Sequence, residues 1–341
     1  MRYSTGLAVI ACFLVGPDVR ADGNAVGSLL IGGVVLQETP EEYHRAIKYL
    51  TVAPKEHNHP AFLGTNIRAI RALESPLRRQ IFNAMVRNRS DRFEFATLSK
   101  AQENFTMRVA AVQFMVRMGM RLSDGGLDFN YHRSGQVAGE ADRQHWRKIG
   151  TFVYKTLPGV RASDAIDGIC RAKFRGECLG AIEFTILQAA RKAIGNHRFN
   201  ALHSRGLEVG DEKGKTNARH FRPASRVSVA DMVPGDWVYM KNQDDYNKGL
   251  RRGVTPGPWQ GENAIYMGRY DVARNRMPVY RADATPRFSG MGVYNKDEAG
   301  LRHSLQEGYM KLMRPPNTNT THRISQRNIR WTSVRRLVTG E

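Results

Sequence analysis

Few residues in this chain can do covalent chemistry, and among them Cys178 has the most suggestive setting. It follows the polar run Arg175-Gly176-Glu177 and precedes apolar residues at Ile182, Ile186 and Ala189, a spacing that predicts a helix opening at the cysteine and stopping at Gly195. The unpaired amides and partial positive charge at such a helix start favour thiolate, the nucleophilic form of the side chain. Taken alone, a cysteine is more often a small buried hydrophobe than a nucleophile. His220, on the segment before a predicted strand, has the chemistry of a papain-style base, with surface or satisfied core as the plainer reading for the other histidines. His57-Asn58-His59 spells a nuclease-like string but lacks the metal-site context that would give it meaning. The three cysteines, Cys12, Cys170 and Cys178, are too few for a disulfide scaffold and fit no zinc spacing. No calcium loop is present, and no residue set calls for a cofactor or metal.

These groups need a frame to hold them. Periodicity predicts helix from Pro60 to Arg87, with Ser75 as the cap and Pro76 at the first helical position. A second helix is predicted from about Ser99 to Gly125-Gly126; its methionines Met115, Met118 and Met120 read as core. A short helix follows over Ser163 to Ile169, whereas Leu127 to Gly159 shows no pattern that places an element. After Val233 the texture turns to strands at Asp236 to Met240, Glu262 to Met267, Met277 to Tyr280 and Phe288 to Val293. Helices therefore come first and sheet second, and the Gly- and Pro-containing connection from Asn242 to Pro258 is long enough to suggest a functional segment.

Four stretches then combine. Phe174-Arg175-Gly176-Glu177-Cys178 with its helix, Gly195-Asn196-His197-Arg198-Phe199-Asn200, Gly235-Asp236-Trp237-Val238-Tyr239-Met240-Lys241-Asn242, and Trp259-Gln260-Gly261-Glu262-Asn263 occur in this order. In order and spacing they resemble the bacterial spore-coat-type protein-glutamine gamma-glutamyltransferases, which are transglutaminases. The resemblance begins near Phe93, reaches weakly to Val334 through Val338 and covers about two-thirds of the chain. It implies an α+β fold with a papain-like, peptidoglycan-peptidase-like core, the nucleophile helix packed on a mainly antiparallel sheet. It further implies Cys178 as nucleophile, Glu262 as acid/base partner and Glu177 as a second, partly substitutable carboxylate, with Trp259 and Asn263 on the substrate side. Plainer roles exist for three of them: Glu177 complementing the helix dipole, Glu262 in a salt bridge to arginine, and Trp259 in the core. The implied reaction passes a glutamine acyl group through a Cys178 thioester to a lysine amine or to water, without calcium. Two departures bear on acceptor specificity and passage shape: Ser289-Gly290 stands where the family has a His-Gly pair, and polar Gly206 to Arg219 replaces an aromatic segment. Two other readings of the same residues are a cysteine amidase or peptidase acting on cell-wall peptides through His220, and a non-catalytic envelope-binding protein.

Composition frames these readings. The chain has 341 residues, 41% of them hydrophobic and 25% charged, enough for one large or two ordinary domains. No stretch approaches the roughly 18 to 20 apolar residues of a spanning helix, in keeping with a mean hydropathy of -0.48. Lys plus Arg number 52 against 32 Asp plus Glu, a net charge of +20, and 39 of the basic residues are arginine. An anionic surface or acidic partner suits that excess, but it is scattered along the chain with no nucleic-acid motif. Met1, Arg2 and Tyr3, the apolar run Leu7 to Val15 and the small-residue site Val19-Arg20-Ala21 resemble a secretory signal peptide, and Val9-Ile10-Ala11-Cys12 offers the alternative of a lipid anchor at Cys12. The expected organisation is a signal peptide over 1–21, a largely helical extension over 22–92 and a catalytic domain over 93–341, in an exported protein whose partners carry Gln and Lys side chains.

Overall fold

The computed structural model describes residues 29–31, 34–35, 48–52, 74–119, 144–150, 153–171, 178–210, 217–242, 260–273, 278–290, 295–313 and 329–339. Its strands in chain order are β1 (Leu29–Ile31), β2 (Val34–Val35), β3 (Phe93–Phe95), β4 (Trp146–Lys148), β5 (Tyr154–Thr156), β6 (Glu208–Val209), β7 (Phe221–Pro223), β8 (Trp237–Lys241), β9 (Gly261–Val272), β10 (Pro278–Tyr280), β11 (Pro286–Ser289) and β12 (Arg330–Leu337). Its main helices are α1 (Glu74–Val86), α2 (Leu98–Gly119), α3 (Ala162–Arg171), α4 (Cys178–Leu202) and α5 (Glu298–Met313).

A six-stranded antiparallel sheet carries the architecture. Its order is β10-β9-β8-β12-β7, with β11 also paired to β9. Strand alternation sends successive side chains to opposite faces, and both faces of this sheet are covered. On one, Trp237, Ile265, Met267 and Leu337 join the apolar residues of α2 and α4 in the larger core. On the other, Val238, Met240, Ala264, Tyr266 and Phe288 pack with Leu301 and Leu305 of α5. The chain thus has mixed helix and antiparallel sheet, with two small three-stranded sheets, β2-β1-β3 and β4-β5-β6, at its flanks. No described helix is long and apolar enough to cross a membrane.

The helix at the centre is α4. Every residue from Leu179 to Arg191 is buried, which is the mark of a helix enclosed by other elements. Gly195 breaks it as its composition predicts, at φ 77 and ψ 161, a left-handed conformation that glycine adopts without steric cost. The chain then re-enters helix up to Leu202 instead of leaving. Arg191 stabilises the break: its Nε donates to Asn196 Oδ1 at 2.9 Å and its Nη1 to Ser163 O at 3.1 Å.

Several boundaries differ from the sequence expectation. In α2 the cap is Thr97, whose Oγ1 accepts from Lys100 N at 3.2 Å, and Ser99 lies inside the first turn. α1 begins at Glu74, ahead of the expected cap, so Ser75 and Pro76 occupy a first turn in which a missing amide costs nothing. The stretch without a pattern holds β4 and β5, and a helix, α5, follows the strands. The expected extents of the first two helices into 60–73 and 120–126 lie outside the described residues, as does most of the 242–258 connection.

Candidate active site

Cys178 is the first residue of α4, and β8 and β9 bring the facing groups to it. The β8–β9 register pairs Trp237 with Ile265, Tyr239 with Asn263 and Met240 with Glu262. Asn263 and Ile265 share a face, so Trp237 and Asn263 are diagonal neighbours on the side covered by α4. There Asn263 Nδ2 donates to Cys178 Sγ at 3.5 Å, while Trp237 Nε1 donates to Asn263 Oδ1 at 2.8 Å. Cys178 is half-buried and not in a disulfide. The sequence-predicted Cys178 and Asn263 are thereby brought into contact.

Glu262 adjoins Asn263 in β9 and is only 4% exposed; paired with Met240, it projects from the opposite face of the strand to Asn263, so the sulfur contact shown is that of Asn263. Its carboxylate lies against Gly290, where a Cβ would stand 3.0 Å from Glu262 Oε1 and would collide with the Asn263 carbonyl oxygen. Glycine at 290 is thus what lets this strand end close over the Glu262–Asn263 pair. The preceding Ser289 is buried at the end of β11, with its Oγ accepting from Asn295 N at 3.0 Å.

His220 is elsewhere in its bonding. Its Nε2 meets His203 Nε2 at 2.8 Å, and His203 immediately follows the last turn of α4, whereas Cys178 opens the first. Burial, reinforced by His203 and Arg219, pushes His220 down to about 3, and burial with Arg219 pushes His203 down to about 4. Both rings are neutral near pH 7, and His220 Nδ1 is buried without a hydrogen-bond partner.

Glu177 and Trp259 lie outside the described residues, as do Cys12 and His57-Asn58-His59; the side chain of Cys170 is not described either. Among the described residues no group of three or more His, Cys, Asp or Glu side chains is arranged to hold a metal.

Sequence reasoning missed what surrounds the contact. Arg335, the β12 partner of Trp237, places its guanidinium 4.0 Å from the indole centroid and 5.0 Å from the Phe221 ring. Below β8, Asp236 receives Arg108 Nη1 at 2.8 Å and also receives Arg336, which in turn binds Asp91. The Gly-Asp-Trp motif marks this turn in the sequence, but nothing local names the arginines.

A family model described as protein-glutamine gamma-glutamyltransferase matches residues 63–272. A protein-glutamine gamma-glutamyltransferase of Bacillus mycoides is 26% identical over 234 residues, covering 67% of this chain and 71% of the relative. One from Bacillus cereus is 25% identical over the same length and coverage. Among solved structures, a transglutaminase from Geobacillus stearothermophilus, without its C-terminal extension, aligns with a TM-score of 0.49 and 20% identity, covering 71% of this chain and 94% of that one.

Proposed function

The chain belongs to the protein-glutamine gamma-glutamyltransferase family, and from that premise we propose that Cys178 is the nucleophile of a protein-glutamine acyl transfer with Glu262 as its acid/base partner. The observation that carries the nucleophile is the meeting of Cys178 at the first turn of a buried helix with Asn263; the part of Glu262, buried next to Asn263 on the alternate face of β9, rests on the resemblance to the family.

The chemistry balances with one thiol and one carboxylate. Cys178 Sγ attacks the carboxamide carbon of a glutamine side chain as its proton passes, by way of water, to Glu262. Glu262 returns that proton to the departing nitrogen, ammonia leaves, and a thioester remains. A lysine amine then attacks the thioester carbonyl and gives a proton to Glu262, which passes it to the sulfur as the isopeptide bond forms. Water in place of the amine yields glutamate. The amides at the start of α4, that of Cys178 included, are the oxyanion donors of both steps. Glu177 complements this end of the helix as a second carboxylate, and Trp259 lines the approach of the substrate.

The core is papain-like in this reading, because a nucleophile at the head of a long helix laid on an antiparallel sheet is the layout of that fold. Residues 93–341 hold the chemistry, and α1, within the matched region, braces it through Gln80, whose Nε2 donates to Arg269 O at 2.6 Å and Arg281 O at 3.0 Å. Residues 1–21 serve export to the envelope or beyond.

The test is incorporation of a fluorescent primary amine into a glutamine-rich protein without added metal. Wild type is expected to label the acceptor, Cys178→Ala and Glu262→Gln to lose labelling, and His220→Ala to keep it. Activity that survives Glu262→Gln but is lost in His220→Ala points instead to the amidase, and a Cys178 inert to iodoacetamide in the native protein points to a non-catalytic one.

A further inference from the structure

The indole of Trp237 is a donor with no acceptor capacity, and this fact orders the contact on Cys178. Trp237 Nε1 donates to Asn263 Oδ1 at 2.8 Å, so the carboxamide oxygen must face the indole and its NH2 must face the other way. The group that the NH2 meets is Cys178 Sγ, at 3.5 Å. Without the indole the carboxamide is free to turn by half a rotation and set its oxygen against the sulfur, which repels thiolate instead of stabilising it. The indole is itself held: Trp237 is 3% exposed, stacked beneath Arg335 at 4.0 Å and set edge-on to Phe221 with centroids 5.1 Å apart.

Resting on the assignment of Cys178 as nucleophile, we propose that Trp237 is a positioning residue that fixes the Asn263 carboxamide as a hydrogen-bond donor to the Cys178 sulfur. The donor favours the thiolate over the thiol, opposing the carboxylate of Glu262, which acts from the other face of β9 and favours the thiol; among the described residues Arg335, from β12, is the charged group against the indole. A thioester sulfur no longer needs the bond, so the relay assists formation of the nucleophile and its regeneration, when sulfur departs as thiolate. Trp237 touches neither the sulfur nor the substrate in this role; it acts through Asn263.

The experiment is the pH dependence of iodoacetamide alkylation at Cys178 in the full chain, read by peptide mass spectrometry so that Cys12 and Cys170 do not interfere. Trp237→Phe keeps a ring against Arg335 and Phe221 but removes the N–H, and Asn263→Ala removes the donor itself. Loss of a hydrogen bond to a charged group is expected to move the alkylation midpoint upward by about one pH unit in Asn263→Ala, and by somewhat less in Trp237→Phe. The double variant is expected to match Asn263→Ala alone, because the indole has no other route to the sulfur. In amine incorporation both single variants are expected to lower kcat with little change in KM. Midpoints that coincide with wild type in both single variants overturn the proposal, as do shifts that simply add in the double variant, which is the behaviour of two independent packing defects. Because alkylation needs no turnover, a protein with the shifted profile but no transferase activity would retain the relay and refute only the proposed function.

Discussion

Asp236→Asn probes the buried charge cluster that seats the start of β8, one residue from Trp237. Asp236 and Arg108 are fully buried, Arg336 is 1% exposed and Asp91 5%. Asp236 Oδ1 accepts from Arg108 Nη1 at 2.8 Å; its Oδ2 accepts from Arg336 Nη1 and, at 2.8 Å, from Val233 N. Arg336 also binds Asp91 Oδ2 through Nε at 3.0 Å and Nη2 at 2.8 Å. The two guanidiniums and two carboxylates cancel, with the half-exposed Arg222 at the rim. Asparagine at 236 leaves one positive charge uncompensated. Arg336 keeps Asp91, so the loss falls on Arg108, whose remaining acceptors are uncharged: Asn104 Oδ1, Pro234 O and Leu337 O. Removing one partner of a buried pair costs about 3–5 kcal/mol, and the surviving neutral acceptors put this case near the lower end, about 3 kcal/mol. With a urea slope of about 3 kcal/mol per molar, the unfolding midpoint falls by roughly 1 M. The assay is equilibrium urea unfolding followed by tryptophan fluorescence. Adding Arg108→Met to Asp236→Asn removes the stranded cation and is expected to recover most of the loss. A single variant within about 0.2 M of wild type, or a double variant less stable than the single, refutes the reasoning.

Two further outcomes follow from the geometry. His203 and His220 titrate in the folded chain at about 4 and about 3, below the ordinary 6.5, chiefly because both are buried. On acidification the unfolded chain therefore binds these protons first, so the stability they contribute is whole above pH 6.5, drains away from about 6.5 down to about 4 for His203 and about 3 for His220, and is gone below those folded values. The urea midpoint is expected to drop from pH 7.5 to pH 5, and a His203→Gln, His220→Gln double variant to show a flatter slope; equal slopes would exclude the pair as the cause. Gly290→Ala sets a methyl group against the Asn263 carbonyl and within 3.0 Å of Glu262 Oε1. Amine incorporation is expected to fall at least tenfold, about 1.4 kcal/mol in the barrier, while the far-ultraviolet circular dichroism is retained; unchanged kcat would show that the strand end gives way without cost.

What local sequence determined was the placement of the nucleophile. A polar, glycine-containing approach followed by apolar residues at helical spacing starts a helix wherever it falls, so Cys178 heads α4, and a glycine free to take positive φ marks the break at Gly195. The strands β8 and β9 were legible for the same reason, since apolar β-formers bounded by Gly, Pro and Asn need little context. α5 was not: Gly300 and Gly308 weaken its helical signal, and what holds it is Leu301 and Leu305 in a core contributed by distant strands. Nor does sequence say which of two adjacent residues, Glu262 or Asn263, faces the sulfur, because one step along a strand exchanges faces and only the face covered by α4 decides. The Trp237–Asn263 diagonal depends on the register between strands, and the Asp91, Arg108, Asp236 and Arg336 cluster joins residues up to 245 positions apart. Such contacts form only when packing has removed water from both partners. A chain read residue by residue contains the charges and the donors, and the tertiary structure alone decides which of them meet.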